Sequence, residues 1–416
     1  MAASIAAFVR IVYLSPSGQL GGAERSLLDV LASLRAARPD WSLRLITAAD
    51  GPLAFRAAAL GVPSTVVPFP EALARLGDAG ARDAAGNRIG RLALLRRCSS
   101  AATSVTPYTV RLFRALRDAA PDLVHTNGFK MHVLGLWARQ RGVPVLWHIR
   151  DHVVSRPVMA RLLRSHARWC AAAVTNSHRV ADDVRSVCAG RLKVYPIHNA
   201  IDLQDFSPSG PVLDLDTLAR MRPPGSGTVR VGLLATMARW KGHEVFLRAL
   251  SLLPANLSIR GYVVGGALYD TDGSECSLAG LRGLAARLCI AGKVGFVDFV
   301  DHPAAAMRAL DIVVHASTDP EPFGRVIGEA MACGKAVIAS RAAGATELIT
   351  AGIDALVYGP GDAAALAERI AMLANNAELR ASLGRAGRGA AERRFDRARL
   401  ARELIPIYQT LTSAAN

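Results

Sequence analysis

Three short stretches carry residue types whose spacing suits chemistry on a phosphorylated ligand. The longest is Asp319-Pro-Glu-Pro-Phe-Gly-Arg-Val-Ile-Gly-Glu-Ala-Met-Ala-Cys-Gly334, in which Glu321 and Glu329 are separated by seven residues. Pro322 fits the first turn of a helix but not its interior, which puts Glu321 in the preceding loop and Glu329 about two turns inside. Eight residues of helix rise about 12 Å, a span suited to a sugar at one end and a ribose at the other. Backbone N–H groups of Phe323, Gly324 and Arg325 would face a phosphate held between them. Glutamates on unrelated helices would be solvated charges. Here an apolar run precedes, and Gly334 with a second apolar run follows, so an exposed role does not fit.

The second stretch, Arg239-Trp-Lys-Gly-His243, sets two cations beside a glycine after the apolar run 229–234. Cations at a strand end can clamp a diphosphate and neutralise charge that grows as a bond to it breaks; a basic pair in a surface turn is the plainer reading. The third, Ser15-Pro-Ser-Gly-Gln-Leu-Gly-Gly-Ala-Glu24, leads into an amphipathic helix. Gly21 and Gly22 would let backbone N–H groups approach a phosphate at the helix N-terminus. A Gly-Gly before a helix also serves as a tight turn, and this is not G-x-G-x-x-G. Asp270-Thr-Asp272 has the form of a divalent-cation motif. It lies in a polar stretch without a hydrophobic strand and is expected to be solvated loop. The six cysteines (Cys98, Cys170, Cys188, Cys276, Cys289, Cys333) form no C-x-x-C pair and stand near no histidine cluster, so reduced thiols and no metal are expected.

These stretches must be positioned by the elements around them. Strand-like apolar runs alternate with amphipathic stretches from end to end, the pattern of parallel sheets covered by helices. In the first half the expected strands are 8–14, 43–47, 65–69, 123–125, 143–149, 172–175 and 194–198; in the second they are 229–234, 257–264, 294–297, 312–315, 336–339 and 355–358. Residues 207–228 are rich in Pro, Gly and Ser, a composition that suits an interdomain connection. The expected organisation is a first domain over 1–205, a second over 206–395 and a final helix over 396–416 packing back on the first. Ligands in open parallel sheets gather at the carboxyl ends of strands, where the three stretches fall.

The chain has 416 residues and a net charge of +16, with 51% hydrophobic and 20% charged residues, a globular composition long enough for two domains. No run reaches the roughly 18 uncharged apolar residues of a membrane span. Met1–Val9 is too short and uncharged for a signal peptide. A cytoplasmic protein is expected. The charge is uneven: residues 1–205 hold 27 Lys+Arg against 14 Asp+Glu, and residues 206–416 hold 23 against 20. Arg75, Arg82, Arg88, Arg91, Arg96, Arg97, Arg111, Arg114 and Arg117 crowd a stretch whose only acids before Arg117 are Asp78 and Asp83. Such a surface suits an anionic partner, whether lipid, phosphorylated acceptor or nucleic acid; a merely solvated basic face is the alternative.

Together these residues resemble the retaining glycosyltransferases of family 4. Glu321 to Glu329 resembles that family's E-x7-E signature, and Ala336-Val-Ile-Ala-Ser-Arg-Ala-Ala-Gly-Ala-Thr-Glu347 its next strand and glycine-containing turn. Gly21-Gly22, Pro144-Val-Leu-Trp-His148, Val174-Thr-Asn-Ser177, Ile197-His-Asn-Ala-Ile-Asp202 and Lys241-Gly242 extend the resemblance over nearly the whole chain. It implies the α/β fold called GT-B, two Rossmann-like parallel-sheet domains facing an interdomain cleft, the first binding the acceptor and the second a nucleotide sugar.

Carried onto these positions, the resemblance implies that Lys241 and Arg239 grip the donor diphosphate. Glu329 would hold the ribose, Glu321 a hydroxyl of the donor sugar, and Gly22 the phosphates. His148 matches the family's active-site histidine, with His125 the second choice. Transfer would proceed with retention, without metal or other cofactor, from a UDP- or GDP-linked sugar to a glycan or lipid-linked acceptor in cell-surface polysaccharide or glycolipid assembly. The basic first domain would hold an acceptor that is anionic or lies at the inner face of a membrane, with no nucleic acid involved. Two departures bear on the donor: Ala235-Thr236 stands where the family often has Gly-Arg, and Phe296-Val-Asp298 puts a carboxylate near the expected nucleobase site. A nucleotide-sugar epimerase, another GT-B enzyme such as a phosphorylase, or a non-catalytic anion- or membrane-binding protein of the same fold are the alternatives.

Overall fold

The computed structural model describes residues 8–71, 91–266 and 276–414, with the side chains of 91–104 and of Ala343 outside that description. Arg75, Arg82, Arg88, Asp270 and Asp272 lie outside the described residues, and Arg91, Arg96 and Arg97 are placed only as positions on the helix Arg91–Ala119.

Strands β1 (Arg10–Ser15), β2 (Ser42–Thr47), β3 (Ser64–Val66), β4 (Leu123–Asn127), β5 (Val145–Ile149), β6 (Ala172–Thr175) and β7 (Val194–Pro196) form a seven-stranded sheet in the order 3-2-1-4-5-6-7. Strands β8 (Val229–Leu234), β9 (Ile259–Val264), β10 (Val294–Val297), β11 (Ile312–His315), β12 (Ala336–Ser340) and β13 (Leu356–Tyr358) form a six-stranded sheet in the order 10-9-8-11-12-13. Every pairing is parallel. Parallel strands need crossovers, and with helices on both faces β5, β6, β10, β11 and β12 are buried along their whole length, which is why these segments read as largely apolar runs. Along β1 the side chains alternate between two cores: Ile11 and Tyr13 join one and Val12 and Leu14 the other.

The chain divides into two compact units, residues 1–200 with 397–416, and residues 201–396. The helix Ala398–Ser413 belongs to the first. Its Leu400, Ala401, Leu404, Ile407 and Tyr408, spaced as one helical face, enter the same core as Leu27, Val30, Leu31 and Leu34 of the helix Gly22–Ala37. Residues 207–228 do not connect the units but pack inside the second. The reason is Asp216, buried on the short helix Leu215–Leu218, whose carboxylate accepts from Arg230 at 2.6 Å, Arg260 at 3.0 Å and the Tyr262 hydroxyl at 2.7 Å. No helix among the described residues is long and apolar enough to cross a membrane.

In each sheet the order reverses once, between β1 and β4 and between β8 and β11. Crossovers leave the sheet in opposite directions at such a point, opening a crevice at the carboxyl ends of the two strands.

Candidate functional site

In the second unit the reversal point holds the two expected clusters. After β8 the chain makes a 3-10 turn, Arg239–Lys241, which ends at Gly242 with φ of 73°. The helix His243–Ser251 follows. The turn is tied to the chain leaving β11 by the Thr318 N–H, which donates to the Trp240 carbonyl at 2.8 Å. This link brings together side chains 80 residues apart. Lys241 Nζ donates to both Glu321 oxygens, at 2.9 and 2.7 Å, and lies 4.0 Å from the centre of the Trp240 ring. The Ser317 hydroxyl donates to Glu321 Oε2 at 2.7 Å, and His315 Nε2 stands 3.5 Å from the same oxygen.

The Glu321 side chain is only 8% exposed. Burial pushes its carboxyl upward, but Lys241, with His315, outweighs burial and holds it well below the usual range. The carboxylate is therefore ionised and its acceptor capacity largely filled. Arg239 lies exposed at the mouth of the same turn.

The loop after Glu321 is longer than the sequence suggested. Pro322 is not in the helix: the loop continues to Gly324, in the left-handed region with φ of 88°, and the helix runs Arg325–Ala332. Glu329 is thus little more than one turn in, not two. The loop is held by a non-local contact, since the Gly344 N–H donates to the Glu321 carbonyl at 2.9 Å and a Cβ at Gly344 would lie 2.3 Å from the Pro322 carbonyl. Phe323 is buried, its ring 6.2 Å from that of Phe395. Arg325 donates to Glu329 at 3.1 Å, so the second glutamate has its own cation. The backbone of Phe323–Arg325 leads into the positive end of this helix, a geometry suited to a phosphate oxygen.

In the first unit Gly21 is the residue before the helix Gly22–Ala37, and no side chain caps that helix. The first-turn N–H groups of such a helix have no partner within it. Gly22 is exposed, leaving the backbone open to an anion. His148 sits near the end of β5, beside Asn127 of β4 in register. It is 3% exposed, and its Nδ1 meets two groups, His125 Nε2 at 3.0 Å and Arg150 Nη2 at 3.1 Å. His125 Nδ1 in turn lies 2.7 Å from the Tyr408 hydroxyl on the final helix. Burial first, and then the Arg150 charge, hold His125 and His148 far below the ordinary histidine range, so both are neutral. His148 Nε2 is buried with no partner among the described residues.

Sequence reading missed His315, Ser317, Arg150, Asn127 and Tyr408. His315 ends β11 and Ser317 follows it, so attention to every strand end would have found both. Tyr408 offered no signal, because its role depends on a packing partner 283 residues away.

The comparisons with known proteins identify the family and the fold. The family described as "Glycosyl transferase 4-like domain" matches residues 21–200, and that described as "Glycosyl transferases group 1" matches residues 226–390. A D-inositol 3-phosphate glycosyltransferase of Jonesia denitrificans is 28% identical over 317 residues, covering 71% of this chain and 73% of that protein. A phosphatidyl-myo-inositol mannosyltransferase of Mycobacterium tuberculosis is 37% identical over 140 residues, 32% of this chain and 36% of that protein. Among solved structures, Anabaena HepE in complex with UDP and glucose superposes with a TM-score of 0.78 at 23% identity, over 97% of this chain and 100% of that one. With matches over both units and two parallel sheets in each of which the strand order reverses once, the chain belongs to the family 4-type, group 1 glycosyltransferases of the GT-B fold.

Proposed function

We propose that this glycosyltransferase moves a hexose, with retention and without a metal, from a UDP- or GDP-linked donor to a hydroxyl of an anionic acceptor used in glycolipid or polysaccharide assembly. The observation that carries the reading is the Lys241–Glu321 pair at the β8/β11 reversal point. Lys241 and Arg239 face the diphosphate, and the backbone N–H groups of Phe323, Gly324 and Arg325 add a helix terminus. Together they stabilise the charge that the leaving group gains. Glu321 takes a sugar hydroxyl and Glu329 the ribose; in the first unit, Gly21 and Gly22 offer backbone N–H groups to a phosphate and His148 offers a ring nitrogen to substrate. The bond from the anomeric carbon to the diphosphate oxygen breaks with its electron pair going to the diphosphate. The acceptor oxygen bonds to the same face, and its proton passes to the leaving phosphate. No glutamate acts as a nucleophile.

The acceptor class rests on the D-inositol 3-phosphate and phosphatidyl-myo-inositol in the names of two relatives and on the basic first half of the chain. The test is a panel of nucleotide sugars, with and without inositol phosphate, in excess EDTA. Thermal protection by one donor is expected, with slow hydrolysis alone and transfer when acceptor is added, the product keeping the donor's anomeric configuration. Epimerisation of the donor without acceptor would replace this reading, and activity lost in EDTA and restored by Mn²⁺ would end its metal-free part.

We further propose that the first unit docks on an anionic membrane surface. Arg111 and Arg114 are exposed on the helix Arg91–Ala119, and the helix Pro157–His166 exposes Val158 and Leu162 beside Arg161 and Arg164. Apolar side chains flanked by arginines suit a headgroup boundary. Vesicles containing anionic lipid should sediment the protein better than neutral ones, less so as salt shortens the Debye length below about 8 Å. Each arginine near the surface contributes about 1 kcal/mol, so reversing three of Arg88, Arg91, Arg96 and Arg97 to Glu should abolish binding and spare donor affinity. Equal sedimentation with both lipids would point to a soluble acceptor.

A further inference from the structure

Arg150 joins three acceptors in the first unit. Its Nε donates to Asn127 Oδ1 at 2.8 Å, its Nη1 to Asn199 Oδ1 at 2.6 Å, and its Nη2 to His148 Nδ1 at 3.1 Å. A guanidinium has five N–H donors and no acceptor. Each atom it meets must therefore accept. For Asn127 this turns the carbonyl oxygen toward Arg150 and the amide nitrogen away. For His148 it makes Nδ1 the unprotonated nitrogen, and a neutral ring then carries its proton on Nε2.

The network beyond His148 agrees with this polarity. With His148 Nδ1 unprotonated, the His125 Nε2 contact at 3.0 Å is that of a second donor sharing the lone pair that Arg150 meets, and His125 Nδ1 then accepts from Tyr408, whose hydroxyl lies 3.4 Å from that of Tyr13. The reverse order would aim an Nδ1–H of His148 at the Arg150 N–H. Two donors result, His148 Nε2–H and the Asn127 amide nitrogen. They are on register partners of adjacent strands, both are buried, and neither has a partner among the described residues. Buried donors left unsatisfied by the protein are completed by an ordered water or by a ligand atom that takes its place.

We infer that Arg150 is a positioning residue that fixes His148 and Asn127 as a pair of hydrogen-bond donors for an acceptor oxygen of the substrate, so that His148 works as a donor and not as a general base. This rests on the proposed assignment of His148 to the transfer site. The complementary group is a hydroxyl or phosphate oxygen, of the nucleotide sugar or of the acceptor. Tyr408 and His125 support the tautomer from the final helix.

The test is ¹⁵N NMR of protein labelled at histidine, with His148→Gln used to identify the His148 signals. In the free protein Nε2 should show the shift of a protonated nitrogen and Nδ1 that of an acceptor. UDP, UDP-glucose and inositol phosphate are then added separately. A shift of the His148 Nε2–H with UDP-glucose but not UDP places the oxygen on the sugar, one with both places it on the diphosphate, and one with inositol phosphate alone places it on the acceptor. Arg150→Gln, which can offer an oxygen to His148 Nδ1, should mix the tautomers and lower turnover by about 10-fold or more with KM for the donor little changed. Arg150→Lys, again donor-only, should restore both the tautomer and most of the rate. A protonated Nδ1 in the free protein would overturn the inference while leaving the site assignment standing, as would an Nε2–H that none of the three ligands moves. Full activity of His148→Ala would instead overturn the site assignment itself.

Discussion

Lys241→Ala is expected to lower transfer by about 10²-fold or more, the scale of losing one strong contact to charge developing in the transition state. The same substitution should destabilise the fold, because Lys241 donates to both oxygens of a carboxylate that is 8% exposed. Removing one partner of a buried pair strands the other charge, at a cost of about 3–5 kcal/mol. Ser317, at 2.7 Å, and His315, at 3.5 Å, would then remain as polar neighbours of Glu321.

Glu321→Gln should lose activity similarly but lose less stability, since no stranded carboxylate remains. The double variant Lys241→Met with Glu321→Gln should recover much of the stability lost in Lys241→Ala and none of the activity. Acid unfolding gives a further readout. The folded carboxyl is held below its unfolded value near 4.5, so its contribution is complete above that pH and disappears as pH falls toward the folded value. Glu321→Gln should flatten that acid limb. A folded Lys241→Ala protein with full transfer activity would overturn the assignment of the site.

Much of this was legible in the sequence, for a definite reason. Strands covered by helices on both faces must be apolar along their length, so β6, β8, β10 and β11 have the ends that their apolar runs suggest. Proline trims others. Pro144 cannot donate to a ladder, and β5 starts after it. Lys241 and Glu321 could be singled out because both follow strands and one reversal of strand order brings them together.

What the sequence concealed depends on contacts between distant segments. Pro322 looks like a helix start, yet Gly344 holds the loop open until Gly324. Residues 207–228 look like a connection, yet the buried Asp216 binds them to Arg230 and Arg260 inside the second unit. His148 could be picked out as a histidine near a strand end, but its tautomer depends on Arg150, whose role appears only when Asn127 and Asn199 are seen to converge on it.

Gly242→Ala should be as damaging as removal of Lys241, although Gly242 has no side chain to contribute. It has φ of 73°, where an L-residue is strained by roughly 1–2 kcal/mol. A Cβ there would lie 1.9 Å from the carbonyl oxygen of Ala316. That oxygen is backbone at the exit of β11 and cannot swing aside as a side chain would. Relief requires the turn Arg239–Lys241 to move away from Ser317 and Glu321, and a displacement of about 1 Å in a positioned group can cost 10²-fold in rate. Gly352 separates the two effects, since it has φ of 78° but nothing within 4 Å of an added Cβ. Gly352→Ala should show the conformational strain as a small fall in Tm, with transfer unchanged. Gly242→Ala should show a larger fall in Tm and lose about 10²-fold or more in kcat/KM. Equal behaviour of the two variants would mean that close packing of the turn against β11 is not what holds Lys241 in place.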